Sequence, residues 1–327
     1  LVEAFGEDGV VFVPGAFVGE TVQAELVSKR KRFAQARLLR VLEPSPDRIE
    51  PETAVVPGMA YAALRYPAEV DLKHRQLHAL LTRIGRLADP PLLPPVPSPL
   101  RDHYRNKLTL HWDGRALGYV GDDNRSVVDT PHCPLSQPEI NLALADLRRD
   151  PALRRLRPGA RVVFRHTARD GVRLGLGKPP AGTLVERLAG LDLSVAADAF
   201  FQVNLPCADL LLDAFREAAR GARAVLDLYC GCGLFGLVAA QAGATRLFGV
   251  ETTPSAVRSA ARNAAALGLD ADYRCVPAEE LPEGLPPADL WVVDPPRAGL
   301  SDAVRARLLR ARPPRLAYVS CGPDTLA

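Results

Sequence analysis

From Leu205 to the end of the chain, short apolar runs alternate with amphipathic stretches, and few folds accommodate that pattern. Strands are predicted at Ala224–Tyr229, Arg246–Glu251, Asp272–Cys275, Asp289–Asp294 and Leu316–Ser320, with helices at Leu205–Arg220, Leu234–Gln241, Pro254–Leu267 and Ser301–Arg310. Such alternation builds a doubly wound α/β domain around a parallel sheet. Its first strand lacks polar alternation, as a strand buried on both faces does, and enters the turn Tyr229-Cys230-Gly231-Cys232-Gly233. The glycines let the backbone turn tightly and approach a ligand. A G-x-G turn after a strand serves dinucleotides, methyl donors and plain turns alike, so its neighbours must decide.

At 327 residues the chain is long enough for two or three domains. Residues 1–47 read as short antiparallel strands of a small β-barrel, with Val22, Ala24 and Leu26 on one face. Lys29-Arg30-Lys31-Arg32, followed by Phe33, Arg37 and Arg40, is either a solvated hairpin tip or a contact to a nucleic-acid backbone. Residues 48–195 read as an α+β domain. It opens with a proline-rich linker and a helix over 68–88 that buries Val70, Leu77, Leu80, Leu81, Ile84 and Leu87. Six prolines between Asp89 and Pro99 end that helix. Arg-rich strands follow, among them Arg105–Trp112, Ala116–Val120, Arg161–His166 and Val172–Leu176, with a helix from Pro138 to Leu147. Residues 196–327 hold the α/β domain.

A net charge of +3 makes any basic surface a local one. Six scattered cysteines without a signal peptide or a membrane-spanning run suit a reducing cytoplasm rather than a disulfide framework. No segment points to a membrane or to an obligate protein partner. Leu1 and Ala327 both read as internal positions of a longer protein.

In a doubly wound sheet the ligand lies beyond the carboxyl ends of the strands. Glu251 ends the second strand there and can accept hydrogen bonds from ribose hydroxyls. The missing third glycine and the missing second nucleotide-binding half disfavour a nicotinamide cofactor, and S-adenosylmethionine fits better. Asp294-Pro295-Pro296-Arg297-Ala298-Gly299 presents a carboxylate before a rigid two-proline turn. The last strand delivers Ser320-Cys321-Gly322-Pro323 to the same edge. A cysteine on a strand is usually packing, but one in a turn just past it can be a nucleophile.

Asp227-Leu228-Tyr229-Cys230-Gly231-Cys232-Gly233, Phe200-Phe201-Gln202-Val203-Asn204, Asp294-Pro295-Pro296-Arg297 and Ser320-Cys321-Gly322-Pro323 together resemble the RNA uracil-5-methyltransferases, which form 5-methyluridine. The front of the chain resembles a TRAM domain, more typical of ribosomal-RNA members. Tyr104-Arg105-Asn106-Lys107, Val128-Asp129 and Cys133-Pro134-Leu135 resemble the family's central RNA-binding domain. The resemblance implies that Gln202, Tyr229, Glu251 and Asp294 contact S-adenosylmethionine and that Cys321 adds to C6 of a flipped uridine in RNA. Two other readings remain open: an amino-group nucleic-acid methyltransferase using Asp294-Pro295-Pro296, and a catalytically inert RNA-binding module.

Three departures from the family pattern carry expectations. Pro57-Gly58-Met59-Ala60-Tyr61-Ala62 lacks the cysteines that hold an iron–sulfur cluster in many members, so neither a cluster nor another metal is expected. Cys230 and Cys232 are too close for a metal pair, and with Cys133, Cys207 and Cys275 they read as packing. Gly322 and Leu234 replace asparagines of some relatives, and glycine at 322 would tolerate a positive φ. The family's general base is a glutamate downstream of the cysteine, which here would lie beyond Ala327.

Overall fold

The structure, a computed structural model, describes residues 10–31, 33–121, 123–281 and 287–327. The chain divides into two compact units, Leu1–Gln76 and Leu77–Ala327.

In the first unit, β1 (Val10–Phe12), β2 (Thr21–Lys29) and β3 (Phe33–Glu43) form a sheet in the order β1-β3-β2. β2 and β3 are antiparallel as predicted. β1 is parallel to β3 because β2 occupies the opposite edge, which corrects the antiparallel expectation. Register shifts in the β2–β3 pair, including one between Leu26 and Ser28, turn Leu26 out to 38% exposure while Ala24 stays buried. Arg32, the last cation of the basic run, lies outside the described residues. Beyond β3, Arg48 is held by a 2.5 Å ion pair with Glu20, whose carboxyl its guanidinium keeps down at about 2.

The division between the units falls within α1 (Tyr66–Arg83). This helix is shorter than predicted and buries no residue fully. Gly85 is responsible: its amide reaches back to the Leu80 carbonyl, and a Cβ there would meet the Leu81 carbonyl at 2.7 Å. Ile84 and Leu87, predicted to be core, lie beyond the last helical residue, Arg83, at 54% and 48% exposure.

In the second unit, β4 (Lys107–Trp112), β5 (Leu117–Val120), β6 (Val127–Asp129), β7 (Ala160–Thr167) and β8 (Gly171–Leu176) form an antiparallel sheet ordered β6-β5-β4-β7-β8. Two helices, α2 (Pro138–Arg149) and α3 (Pro151–Arg154), lie between β6 and β7 in the chain. A hairpin that sequence reading missed follows, β9 (Thr183–Leu188) and β10 (Leu191–Ala196). Its turn residues Ala189 and Gly190 have φ of 53° and 76°, as a two-residue hairpin turn requires.

The last sheet comprises β11 (Ala224–Leu228), β12 (Arg246–Glu251), β13 (Asp270–Cys275), β14 (Leu290–Val293) and β15 (Leu316–Tyr318). All pairs are parallel and the order is β13-β12-β11-β14-β15, a doubly wound arrangement. With α4 (Leu205–Ala219), α5 (Leu234–Gln241), α6 (Pro254–Ala266) and α7 (Asp302–Ala311), these elements end within two residues of their predicted bounds. One face packs Val225, Leu247 and Val292 against Phe215 of α4 and Phe235 of α5, together with Leu188, Leu193 and Val195 of the hairpin. The other packs Leu226, Leu228, Val250 and Val293 against Val304 of α7 and against Ala278, which follows β13.

Candidate active site

The strand order reverses between β11 and β14, the place where a doubly wound sheet opens a crevice at its carboxyl edge. Tyr229 follows β11, Glu251 ends β12 and Asp294 follows β14, so the sheet brings all three to that edge. Cys321 follows β15 by three residues on the same edge and is exposed. Gln202 comes from outside the sheet, just before α4.

The segment around Gln202 is fixed by Asn106. The Asn106 amide N–H donates to the Val203 carbonyl at 3.1 Å, and its side-chain Nδ2 donates to the Gln202 carbonyl at 3.2 Å. Asn106 is itself buried. Two of the sequence segments singled out above are thus joined through the Asn106 main chain and side chain, a role that residue type alone did not indicate.

The glycine turn is held as tightly. Tyr229, Gly231 and Gly233 have φ of 69°, 55° and 86°. For a tyrosine this left-handed backbone is strained, and it persists because its neighbours enforce it. Cys230 donates its N–H to Val250, Gly233 donates to Cys230, and Gly231 donates to Oε2 of Glu251 at 3.2 Å. Oε1 of Glu251 accepts the Thr253 amide at 2.9 Å, so this carboxylate fastens the turn to the start of α6. Tyr273 lies beneath: a Cβ on Gly233 would come within 2.9 Å of its hydroxyl, and one on Gly249 within 2.6 Å of its ring.

Asp227 stands within a sequence motif but receives no role from the sequence, as an acid inside an apolar run. Its carboxyl is 1% exposed and neither oxygen closes a hydrogen bond. Burial, followed by the charge of Asp294 and to a smaller extent that of Glu251, pushes it well above the usual carboxylate range against the opposing effect of the Gly236 amide. Burial also raises Asp294, to about 6. An acid within an otherwise apolar strand was the available signal. Three carboxyl groups therefore gather about one glycine turn, an electrostatic setting that favours a cation or a set of hydroxyl donors.

Past β15, Ser320 Oγ donates to the Gly322 carbonyl at 3.0 Å, and Thr325 Oγ1 donates to the same carbonyl at 2.9 Å and to that of Arg297 at 3.4 Å. The turn carrying Cys321 is thereby attached to the two-proline turn after Asp294. Gly322 has φ of −122°, so the positive-φ expectation fails. Close packing explains the glycine instead, since a Cβ would sit 2.9 Å from Thr325 Oγ1 and 3.3 Å from the Arg297 carbonyl.

Of the remaining cysteines, Cys133, Cys230 and Cys232 are buried. Burial pushes the Cys232 thiol up to about 12 and that of Cys230 well above its ordinary value. Cys275 is exposed because β13 is an edge strand, contrary to the packing expectation. Among the described residues, no group of three or more His, Cys, Asp or Glu side chains is placed to hold a metal ion. No described helix is long and apolar enough to cross a membrane.

Beside the Gln202 segment lies a cavity of about 230 Å³ lined by Arg105, Lys107, Tyr119, Phe200 and Phe201 among others. Phe200 is 73% exposed. Burial, with Arg165 and Arg161 nearby, lowers the Lys107 pKa.

Residues 225–311 match the family described as "Methyltransferase domain". The chain is 30% identical to an uncharacterized RNA methyltransferase of Thermosynechococcus vestitus, over 98% of this chain and 86% of that one. It is also 30% identical to one of Gloeobacter violaceus, over 97% and 84%. In fold it is similar to the Pyrococcus abyssi tRNA (uracil-54, C5)-methyltransferase crystallised with S-adenosyl-L-homocysteine, with a TM-score of 0.78 and 22% identity over 98% of this chain and 90% of that one.

Proposed function

This chain belongs to the RNA methyltransferase family of those relatives, and we propose that it methylates C5 of a uridine in RNA, with S-adenosylmethionine as donor and ribosomal RNA as substrate. The observation that carries this reading is an exposed cysteine, Cys321, on the sheet edge that also bears Tyr229, Glu251 and Asp294. C5 of uracil is a poor nucleophile until a group adds at C6, and a thiolate provides that addition.

The acidic surroundings of the glycine turn suit the donor. The half-buried Asp294, ionised above about pH 6, offers negative charge near a cationic sulfonium, and Glu251 retains lone pairs for ribose hydroxyls. Gln202 and Tyr229 complete the proposed donor contacts. The donor supplies an electrophilic methyl group. Cys321 Sγ forms a bond to C6, the C5–C6 π electrons move into an enolate, and C5 takes the methyl as the S–CH3 bond breaks and its electron pair leaves on S-adenosylhomocysteine. Loss of the C5 proton to a base then restores the double bond and expels Cys321 as thiolate.

RNA is favoured by the pairing of Arg105 and Lys107 with the exposed Phe200 ring, since cations with a stacking surface suit unstacked bases. Ribosomal RNA is favoured by the TRAM-like front, whose sheet β1–β3 carries the basic segment. Replacing Cys321 with Ala should abolish transfer of labelled methyl to unmodified ribosomal RNA while leaving donor binding intact; unchanged transfer would refute the nucleophile. RNA containing 5-fluorouridine should form a stable covalent adduct, which an amino-group methyltransferase would not. No heat on titration with S-adenosylmethionine would favour the inert RNA-binding module.

A further inference from the structure

We propose that a second cavity, between α6 and the loop preceding β9, holds the sugar–phosphate backbone of the RNA substrate. It rests on the RNA reading above and adds a contact site distinct from the sheet edge. The cavity measures about 450 Å³, and Lys178, Arg258 and Arg262 line it against a single carboxylate, Asp198. α6 contributes Ser255, Arg258, Ser259 and Arg262, whose three- and four-residue spacing puts them on one helix face.

With three cations facing one carboxylate, the cavity keeps an excess of positive charge. Arg262 Nη1 is held by neutral partners, the hydroxyls of Thr183 at 3.4 Å and Ser194 at 3.1 Å. Neither Lys178 nor Arg258 forms an ion pair among the described residues. Elsewhere in this unit surface arginines are commonly paired, as in Arg148–Asp129, Arg187–Asp192 and Arg220–Glu217. The opposite wall is firm. Pro179 and Pro180 restrict the loop, and the Ala197 amide donates to the Gly182 carbonyl at 2.9 Å across the base of the hairpin.

Guanidinium and ammonium groups on a firm concave wall match phosphate oxygens. Continuity with the candidate active site favours a polynucleotide over a small anion: the strand that lines this cavity at Ala196 runs through Asp198 directly into Phe200, Phe201 and Gln202. A strand of RNA seated on Arg258 and Lys178 would be guided toward the exposed Phe200.

The test uses the whole protein and a uridine-containing fragment of ribosomal RNA, with affinity measured at several salt concentrations. Arg258→Ala should weaken binding about threefold to tenfold and reduce the slope of log affinity against log salt by about 0.7–1. Arg258→Lys should restore most of both, and Lys178→Ala should act in the same direction. S-adenosylmethionine affinity, read by calorimetry, should not change, which separates this effect from misfolding. If wild-type protein binds the RNA and all variants bind it with the same affinity and salt slope, the cavity does not hold RNA. If wild-type protein binds inorganic phosphate or a mononucleotide through Arg258 but no RNA, the cavity is a small-anion site and the RNA assignment is wrong. Wild-type protein that binds neither refutes both this site and the RNA reading on which it rests.

Discussion

The Gly231 amide and the Glu251 carboxylate are joined at 3.2 Å, so the acid proposed to hold the donor also holds the turn that would cradle it. Its other oxygen accepts the Thr253 amide. Glu251→Gln keeps one acceptor but turns an NH₂ group toward one of these N–H donors. The variant should lose about 1 kcal/mol of stability, and Glu251→Ala about 2 kcal/mol. Donor affinity should fall tenfold or more in both. Thermal melting and calorimetry read the two effects separately, and loss of stability with undiminished donor affinity would leave Glu251 a purely structural residue.

Asp294 makes a pH dependence testable. Burial raises its folded-state pKa to about 6, above the ordinary carboxylate value. Between those two values the folded chain holds more protons than the unfolded one, so this group's contribution to stability falls as pH rises through that window. Asp294→Asn should flatten that part of the profile and stabilise the protein at pH 8 by roughly 1–3 kcal/mol. A cationic donor prefers the charged form, so wild-type donor affinity should rise as pH passes 6, and the Asn variant should bind weakly with little pH dependence. Equal affinities at pH 8 would exclude Asp294 from the donor site.

Arg165 and Glu186 form a second buried electrostatic unit, at 1% and 2% exposure with 3.8 Å between Nη2 and Oε1. Arg165 Nη1 donates to the Ala199 carbonyl at 3.2 Å, close in sequence to Gln202, whereas its Nε and Nη2 close no hydrogen bond. Burial pushes Glu186 up to about 7 despite the adjacent guanidinium. Glu186→Ala would leave Arg165 a buried unpaired cation and should cost about 3–5 kcal/mol. The double variant Arg165→Met/Glu186→Ala should recover much of that loss. Urea unfolding of the wild type, Arg165→Met, Glu186→Ala and the double variant measures the coupling, and strictly additive losses would contradict it.

Gly249 offers a steric test of the layer below the glycine turn. A Cβ there would meet the Tyr273 ring at 2.6 Å and Cys230 Sγ at 2.9 Å. Gly249→Ala should therefore cost about 1–3 kcal/mol, the usual range for an overpacked core. Adding Tyr273→Leu should relieve it, and chemical denaturation compares the two.

The sequence disclosed the sheet well and its surroundings poorly, for identifiable reasons. Fully apolar strands and proline-initiated helices such as α6 carry strong local signals, and β12 and α5 match their predicted bounds. The hairpin was missed because Ala189-Gly190 lacks the usual Asn-Gly or Asp-Gly signature, although β9 and β10 alternate in burial. Helix α1 was overextended because a heptad-like row of leucines continues past Gly85, where the backbone itself turns away. Tyr229, Glu251, Asp294 and Cys321 could be placed because strand ends fix them. Asp227 and Asn106 stand inside sequence motifs but receive no role of their own there, because their importance lies in partners distant in sequence.

The hairpin also bears on how this chain could be divided or recombined. Leu188, Leu193 and Val195 share a core with Phe215, Phe235 and Leu247, and Asn263 of α6 bonds both the Ser194 main chain and the Cys232 carbonyl. A fragment or chimera cut at residue 196 would strip apolar cover from the sheet and leave Asn263 without its partner on β10. The unit that can be exchanged between relatives as a folded piece therefore begins ahead of Thr183, at the entrance to the hairpin rather than at its exit.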